Sequence, residues 1–138
     1  MVSFLFLFLG FFSVNEHTPS GKIELNIKNL KNHKGSILIS LFNQNEGFPD
    51  NPKKSFRNWK VHPTSIITLS EIPKGQYALS IVHDEDGSNG MTYNLVKMPK
   101  EGFGVSNYEL AFLQKPDFRN AVFAHHQKVT SLSIRLRY

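Results

Sequence analysis

Residues 76–83 alternate between two faces and are hemmed in on both sides by turn chemistry. Tyr77, Leu79, Ile81 and His83 fall on one face, and Ala78, Ser80 and Val82 on the other. A period of two is the mark of an extended strand. Just ahead stands Ile72-Pro-Lys-Gly75, where proline pre-sets its own φ and glycine accepts the conformation the exit requires. Just behind comes an acidic, glycine-rich stretch, Asp84-Glu-Asp-Gly-Ser-Asn-Gly90. Turn, strand and polar loop in direct succession commit this part of the chain to β architecture and put a loop where β-proteins often carry function.

The same alternation recurs. Ile23, Leu25 and Ile27 mark a strand over residues 22–28, and residues 36–42 form a second strand with little polar interruption. These two read as a hairpin with a long polar connection closed by Gly35. Residues 64–70 are a third strand and 76–83 a fourth; residues 91–98 read as a further extended segment. Residues 128–138 are the last strand, with Leu132, Ile134, Leu136 and Tyr138 in alternation. Between residues 43 and 63, Gly47, Pro49, Asp50, Asn51 and Pro52 forbid regular structure, while Phe48, Phe56 and Trp59 pin the excursion to the core. Residues 99–114 read as an irregular loop, and 116–123 as one helical turn with Asp117 near its start. The sum is an all-β fold: an antiparallel β-sandwich of about seven strands, with one long irregular loop and at most a short helical turn.

A chain of 138 residues suits one domain with a modest core. The formal charge of +5 favours acidic surfaces such as nucleic acid, anionic lipid or acidic polysaccharide. Lys and Arg are nevertheless scattered, so the clustered patch of a nucleic-acid binder is missing and nucleic acid is not an expected partner. The absence of cysteine removes disulfides, thiolate zinc sites, a cysteine nucleophile and a lipidated N-terminal cysteine together. Residues 2–14 are uncharged and rich in large apolar side chains, too short to span a bilayer and suited to a signal-peptide core. Thr18 and Ser20 offer small residues for cleavage, and Ser13 is another candidate. The expected organisation is a leader over residues 1–20 and one sandwich domain over 21–138, exported to the periplasm or beyond. A buried first strand and an uncut anchor are the alternatives for the leader. No later segment is apolar enough to cross a membrane, so no stable insertion is expected after leader removal.

Asp84, Asp86, Ser88 and Asn89 collect several oxygens in one short loop. Calcium takes six to eight oxygen ligands, and alternating acids can supply some of them. The EF-hand pattern fails: with Asp84 as its first position, Asn89 stands where glycine is required and Leu95 where a bidentate Glu is required. A smaller, weaker calcium loop held by Asp84 and Asp86 remains, beside the plainer reading of an acidic turn bonded to its own amides. His83 could act as ligand or base, or could close its strand by bonding backbone or Glu101. His125 and His126 are adjacent, so on a strand they face opposite sides and cannot chelate together. A zinc site would need His83 to meet one of them. Gly-x-Ser-x-Gly, a phosphate-cradling loop and a dinucleotide fingerprint are absent. A glycosidase pair could be drawn from Asp84, Asp86 and Glu101 only if two of them faced a cleft. Tyr93, Phe103, Tyr108, Phe112 and Phe118 flank the acidic loop. Exposed, they could stack on sugars or a peptide; buried, they fill the sandwich.

Five pieces then combine: Glu46-Gly-Phe-Pro49, Pro73-Lys-Gly-Gln-Tyr-Ala-Leu79, His83-Asp-Glu-Asp-Gly87, Pro99-Lys-Glu-Gly-Phe-Gly-Val-Ser-Asn107 and Phe118-Arg-Asn-Ala-Val-Phe123. In order and spacing the set resembles the DUF2141 family, mostly bacterial and mostly exported proteins without an assigned activity. The Pro-x-Gly-x-Tyr turn is also similar to transthyretin-like sandwiches, so the resemblance implies a prealbumin-like sandwich and no enzyme class. The chain departs from the family at Thr92, where Asp is common, and at Val105, where Phe is usual. The first change removes an anionic oxygen from the loop.

The candidate surface is His83, Asp84, Asp86, Asn89, Glu101, Ser106 and Asn107, organising the loop first and binding a ligand or cation second. The functional expectation is a non-catalytic binding or accessory module, with an envelope polysaccharide or protein as the partner class. The rivals are a weak calcium module, a hydrolase using His83 and nearby carboxylates, and a purely structural envelope component.

Overall fold

A computed structural model describes residues 10, 13, 18–89, 101–107 and 116–138. Its strands are β1 (Ser20–Lys28), β2 (Ser36–Phe42), β3 (Arg57–Val61), β4 (Ile66–Pro73), β5 (Gly75–Asp84), β6 (Gly102–Val105), β7 (Phe123–His125) and β8 (Val129–Arg135). They form two sheets, one in the order β4-β1-β8 and one in the order β3-β2-β5-β6, with β7 paired to β5. The expected sandwich is therefore what the chain builds. One helical turn, α1 (Phe118–Ala121), lies where the sequence places it, and the Asp117 side chain caps it by accepting from the Arg119 N–H at 2.9 Å.

Alternation decides which side chains go inside. Ile23, Leu25 and Ile27 of β1, with Ile67 and Leu69 of β4 and Ile134 of β8, face Ile37, Ile39 and Leu41 of β2 and Tyr77, Leu79 and Ile81 of β5 in one continuous core. Full burial of an Ile or Leu is worth about 1.5–3 kcal/mol each. The second sheet is covered on its other face as well. Phe42, Phe48, Ala78, Val105 and Ala121 form a smaller core beneath the residue 43–56 excursion and α1. Phe42 and Phe118 both meet Phe48 edge to face, at 5.3 and 5.7 Å between ring centres. Burial on both faces explains why β5 is apolar or small at nearly every position.

Three expectations change. First, β1 and β2 are not a hairpin, because they lie in different sheets. Their connection crosses between the layers, with Asn29 and Gly35 in the left-handed region and the Asn29 amide donating to the Leu136 carbonyl at 2.8 Å. Second, β1 pairs in parallel with β8, so the otherwise antiparallel sandwich joins its first and last strands side by side. Parallel neighbours need a long connection, and here nearly the whole chain supplies it. Third, the excursion holds a 3-10 turn, Pro52–Lys54, followed by the regular strand β3. Strand β6 likewise lies inside the expected irregular loop. Phe48 is buried there and Trp59 packs on the main core, whereas Phe56 stays 39% exposed and leans on Tyr77. The extended segment read at residues 91–98 and nearly all of the leader lie outside the described residues. Among the described residues no helix is long and apolar enough to cross a membrane.

Candidate functional site

Strand pairing brings the acidic residues together. His83 of β5 stands opposite Gly102 of β6 in an antiparallel ladder, so the next residues along, Asp84 and Glu101, meet at the strand end. Both are buried. The Asp84 carboxylate builds the loop that follows: Oδ1 accepts from the Ser88 N–H at 3.0 Å and the Ser88 hydroxyl at 3.3 Å, and Oδ2 from the Asn89 N–H at 2.7 Å. Asp86 Oδ1 accepts from the same Ser88 N–H at 3.0 Å. Gly87 and Asn89 take positive φ values of 74° and 62°, a cost that glycine and asparagine bear best. The Asn89 side chain accepts from Lys60 Nζ at 2.6 Å, tying the loop to β3. Glu85 leaves the cluster and accepts from the Asn32 amide at 2.9 Å.

Ligand atoms of Asp84, Asp86 and Glu101 lie within 4.8 Å of one another. Three carboxylates so close cannot all stay charged without a counterion or a proton. Burial, then the hydrogen bond to Asp86 and the charges of Asp84 and Asp86, push the Glu101 carboxyl up to about 8. Hydrogen bonds from Glu101 and Ser88 hold the exposed Asp86 well below the usual carboxylate range. Near neutral pH, Glu101 is therefore the acid that keeps its proton and donates it to Asp86. The cluster can do two things chemically: share a proton, or exchange that proton for a hard cation.

His83 faces the other way, into the sandwich. It is fully buried; its Nε2 lies 2.8 Å from the Lys34 carbonyl and its Nδ1 2.7 Å from the Tyr138 hydroxyl. A carbonyl can only accept, so Nε2 carries the hydrogen and Nδ1 accepts from Tyr138. Desolvation raises the Tyr138 phenol and keeps it protonated for this role. Both ring nitrogens are thus engaged by the protein itself, and Glu101 is not the partner. His125 repeats the pattern, with Thr130 Oγ1 at 2.6 Å and the Ile72 carbonyl at 3.2 Å. His126, just past the end of β7, is exposed.

Ser106 and Asn107 sit apart from the acidic end. Ser106 exchanges backbone and side-chain bonds with Leu79, five residues back along β5 from Asp84. At about 3.3 Å per residue that is about 16 Å away. The buried Ser106 hydroxyl accepts from the Leu79 N–H at 2.9 Å and donates to the Ala121 carbonyl at 2.6 Å. The Asn107 amide donates to the Asn120 and Val122 carbonyls at 3.2 and 3.0 Å. Together they clamp α1 to the second sheet. Of the seven candidate residues, then, Asp84, Asp86, Asn89 and Glu101 converge on one loop, His83 joins the Lys34 carbonyl and Tyr138 instead, and Ser106 and Asn107 serve the far end of the strand. Phe103 and Phe118 are half-buried against the smaller core, while Tyr93, Tyr108 and Phe112 lie outside the described residues. Tyr138 was not among the candidates; its alternation with Leu136 marks it as a strand residue and gives no hint of the histidine it meets.

A family model described as an uncharacterized protein conserved in bacteria (DUF2141) matches residues 25–133. The chain belongs to the DUF2141 family. The DUF2141 match runs from β1 into β8 and so takes in both sheets, the acidic loop and α1. No curated protein and no solved structure matches the chain.

Proposed function

We propose that this chain is an exported, non-catalytic binding or accessory module of the bacterial envelope. The observation that carries this reading is the engagement of His83: with Nε2 on a backbone carbonyl and Nδ1 on Tyr138, the base a hydrolase would need is spent on structure. Ser106, the most buried serine among the described residues, is spent likewise on Leu79 and Ala121. Export is supported by the uncharged apolar stretch at residues 2–14. Intact-mass measurement of protein recovered from the periplasm of an expressing bacterium tests it: loss of roughly the first 20 residues is expected, and a full-length cytoplasmic product overturns it.

A second reading is favoured by the three carboxyls within 4.8 Å: the acidic end is a weak site for a hard cation such as calcium, with Asp84, Asp86 and Glu101 as ligands. The cation would supply the positive charge that the shared proton supplies without it. Calcium titration followed by thermal melting tests this. A melting temperature that rises with millimolar calcium, and no longer does so in Asp84→Ala with Asp86→Ala, supports the site. A melting temperature indifferent to calcium removes it.

A further inference from the structure

We propose that the outward face of the β4-β1-β8 sheet binds a linear anionic polysaccharide. The outward residues of β1 are Lys22, Glu24, Asn26 and Lys28, of which Lys22, Glu24 and Lys28 are exposed and Asn26 half-buried. Register sets Lys22 beside Val129, Glu24 beside Ser131, Asn26 beside Ser133 and Lys28 beside Arg135 on one flank. On the other flank Thr68 stands beside Glu24 and Ile66 beside Asn26. The result is a flat grid of short hydroxyls and an amide, with Lys22 at one end and Lys28 with Arg135 at the other. The two lysines are six residues apart, about 20 Å along the strand.

Charge selects an anion. Lys22, Lys28 and Arg135 are exposed here, with Lys128 just before β8, against Glu24 at the centre and Glu71 at the far end of β4. Lys22, Lys28 and Lys128 have no side-chain partner among the described residues. Lys31, Lys54 and Lys60, by contrast, are engaged by Glu85, Glu46 and Asn89. Side-chain chemistry selects the polymer. Among the described residues no aromatic ring is exposed on this face, so they offer no stacking platform for single-stranded nucleic acid. Its exposed apolar side chains, Ile66 and Val129, are separated by register, so it also lacks the continuous apolar face of a membrane-surface binder. Rows of hydroxyl and amide groups between terminal cations suit a chain of hydroxylated, carboxylated or sulfated sugars, held by charge at the ends and by hydrogen bonds between them.

The inference deepens the reading of the chain as a binding module but uses a surface separate from the acidic loop. The test is binding of the full domain to alginate and heparin at low ionic strength, with neutral dextran and a single-stranded DNA oligonucleotide as comparisons. Expected are binding to the anionic glycans, no binding to dextran, and loss on adding salt. Lys22→Glu with Lys28→Glu should weaken binding about tenfold, Glu24→Gln should strengthen it, and Lys53→Glu, on the exposed 3-10 turn, should leave it unchanged. Melting curves confirm that each variant is folded; all the substituted face residues are solvent-facing. Absence of binding to both glycans, indifference to the lysine reversals, or tighter binding of the DNA overturns the proposal. A loss of binding in Lys53→Glu as large as in the Lys22 and Lys28 reversals would show attraction by net charge alone and overturn it equally.

Discussion

The hydroxyl of Tyr138, the last residue of the chain, lies 2.7 Å from Nδ1 of His83, deep at the end of the central strand β5. The same hydroxyl accepts from the Lys31 N–H at 3.0 Å, so one phenol joins the C-terminus, the crossing loop after β1 and β5. Its ring rests on Gly102, directly opposite His83 in the β5–β6 ladder. Tyr138→Phe keeps the ring and leaves Nδ1 of a buried histidine unsatisfied. A loss of about 1–2 kcal/mol in chemical denaturation is expected, with an unchanged fold by circular dichroism.

Gly102 and Gly104 let the C-terminal segment close on β6. A Cβ at Gly102 would come within 2.5 Å of the Tyr138 ring, and one at Gly104 within 2.8 Å of the Arg135 carbonyl oxygen and Ile134 Cγ2. The tyrosine can swing outward; the backbone and the buried isoleucine cannot. Gly104→Ala should therefore cost more than Gly102→Ala, the former about 2–3 kcal/mol. Gly102→Ala should add little to Tyr138→Phe in a double-mutant cycle, because pushing the ring outward and removing its hydroxyl both break the bond to His83.

Ser106→Ala should destabilise by about 2–3 kcal/mol, since it strands the buried Leu79 N–H and Ala121 carbonyl together. The measurement is urea unfolding. Hydrogen exchange should report the loss first at α1, which Ser106 and Asn107 hold in place. A similar cost without faster exchange in α1 would place the role of Ser106 elsewhere.

The sequence was most legible where alternation is uninterrupted. β1, β2, β4, β5 and β8 announce themselves in this way, and Asp117 announces α1. Pairing was not legible. The polar stretch after β1 looks like a hairpin loop, and only the three-dimensional fold shows it crossing between layers with Asn29 bound to Leu136. Two strands hid behind their own composition: β3 follows a run of Pro, Asp and Asn, and β6 is half glycine because the C-terminal segment needs the space. The acidic end was half legible. Asp84, Asp86 and Asn89 are neighbours in sequence, but Glu101 joins them through strand register, and the same register carries Ser106 and Asn107 away. Local chemistry is written in order along the chain; which ends of a strand meet is decided by pairing.

Glu101 gives the fold a pH dependence with a definite sign. Its carboxyl is raised in the folded protein to about 8 from the ordinary glutamate value of 4.5. The folded state thus holds a proton that the unfolded state has released. This contribution is fully present below the unfolded value and is lost as pH rises through the folded one. The melting temperature should fall between pH 5 and 8.5, by about 3 °C or more. Glu101→Gln, which mimics the protonated acid, should flatten that fall. Asp86, held low, contributes in the opposite sense and only at acid pH, where its protonation removes the acceptor.

The shared proton at the end of β5 can be read directly by a carbon-13 titration of the side-chain carboxyls, assigned by Glu101→Gln. The Glu101 carboxyl should titrate near pH 8 while Asp86 stays ionised through the neutral range. A Glu101 midpoint between about 4 and 5, the ordinary range for a solvated glutamate, would show that strand register does not press these acids together and would contradict the account.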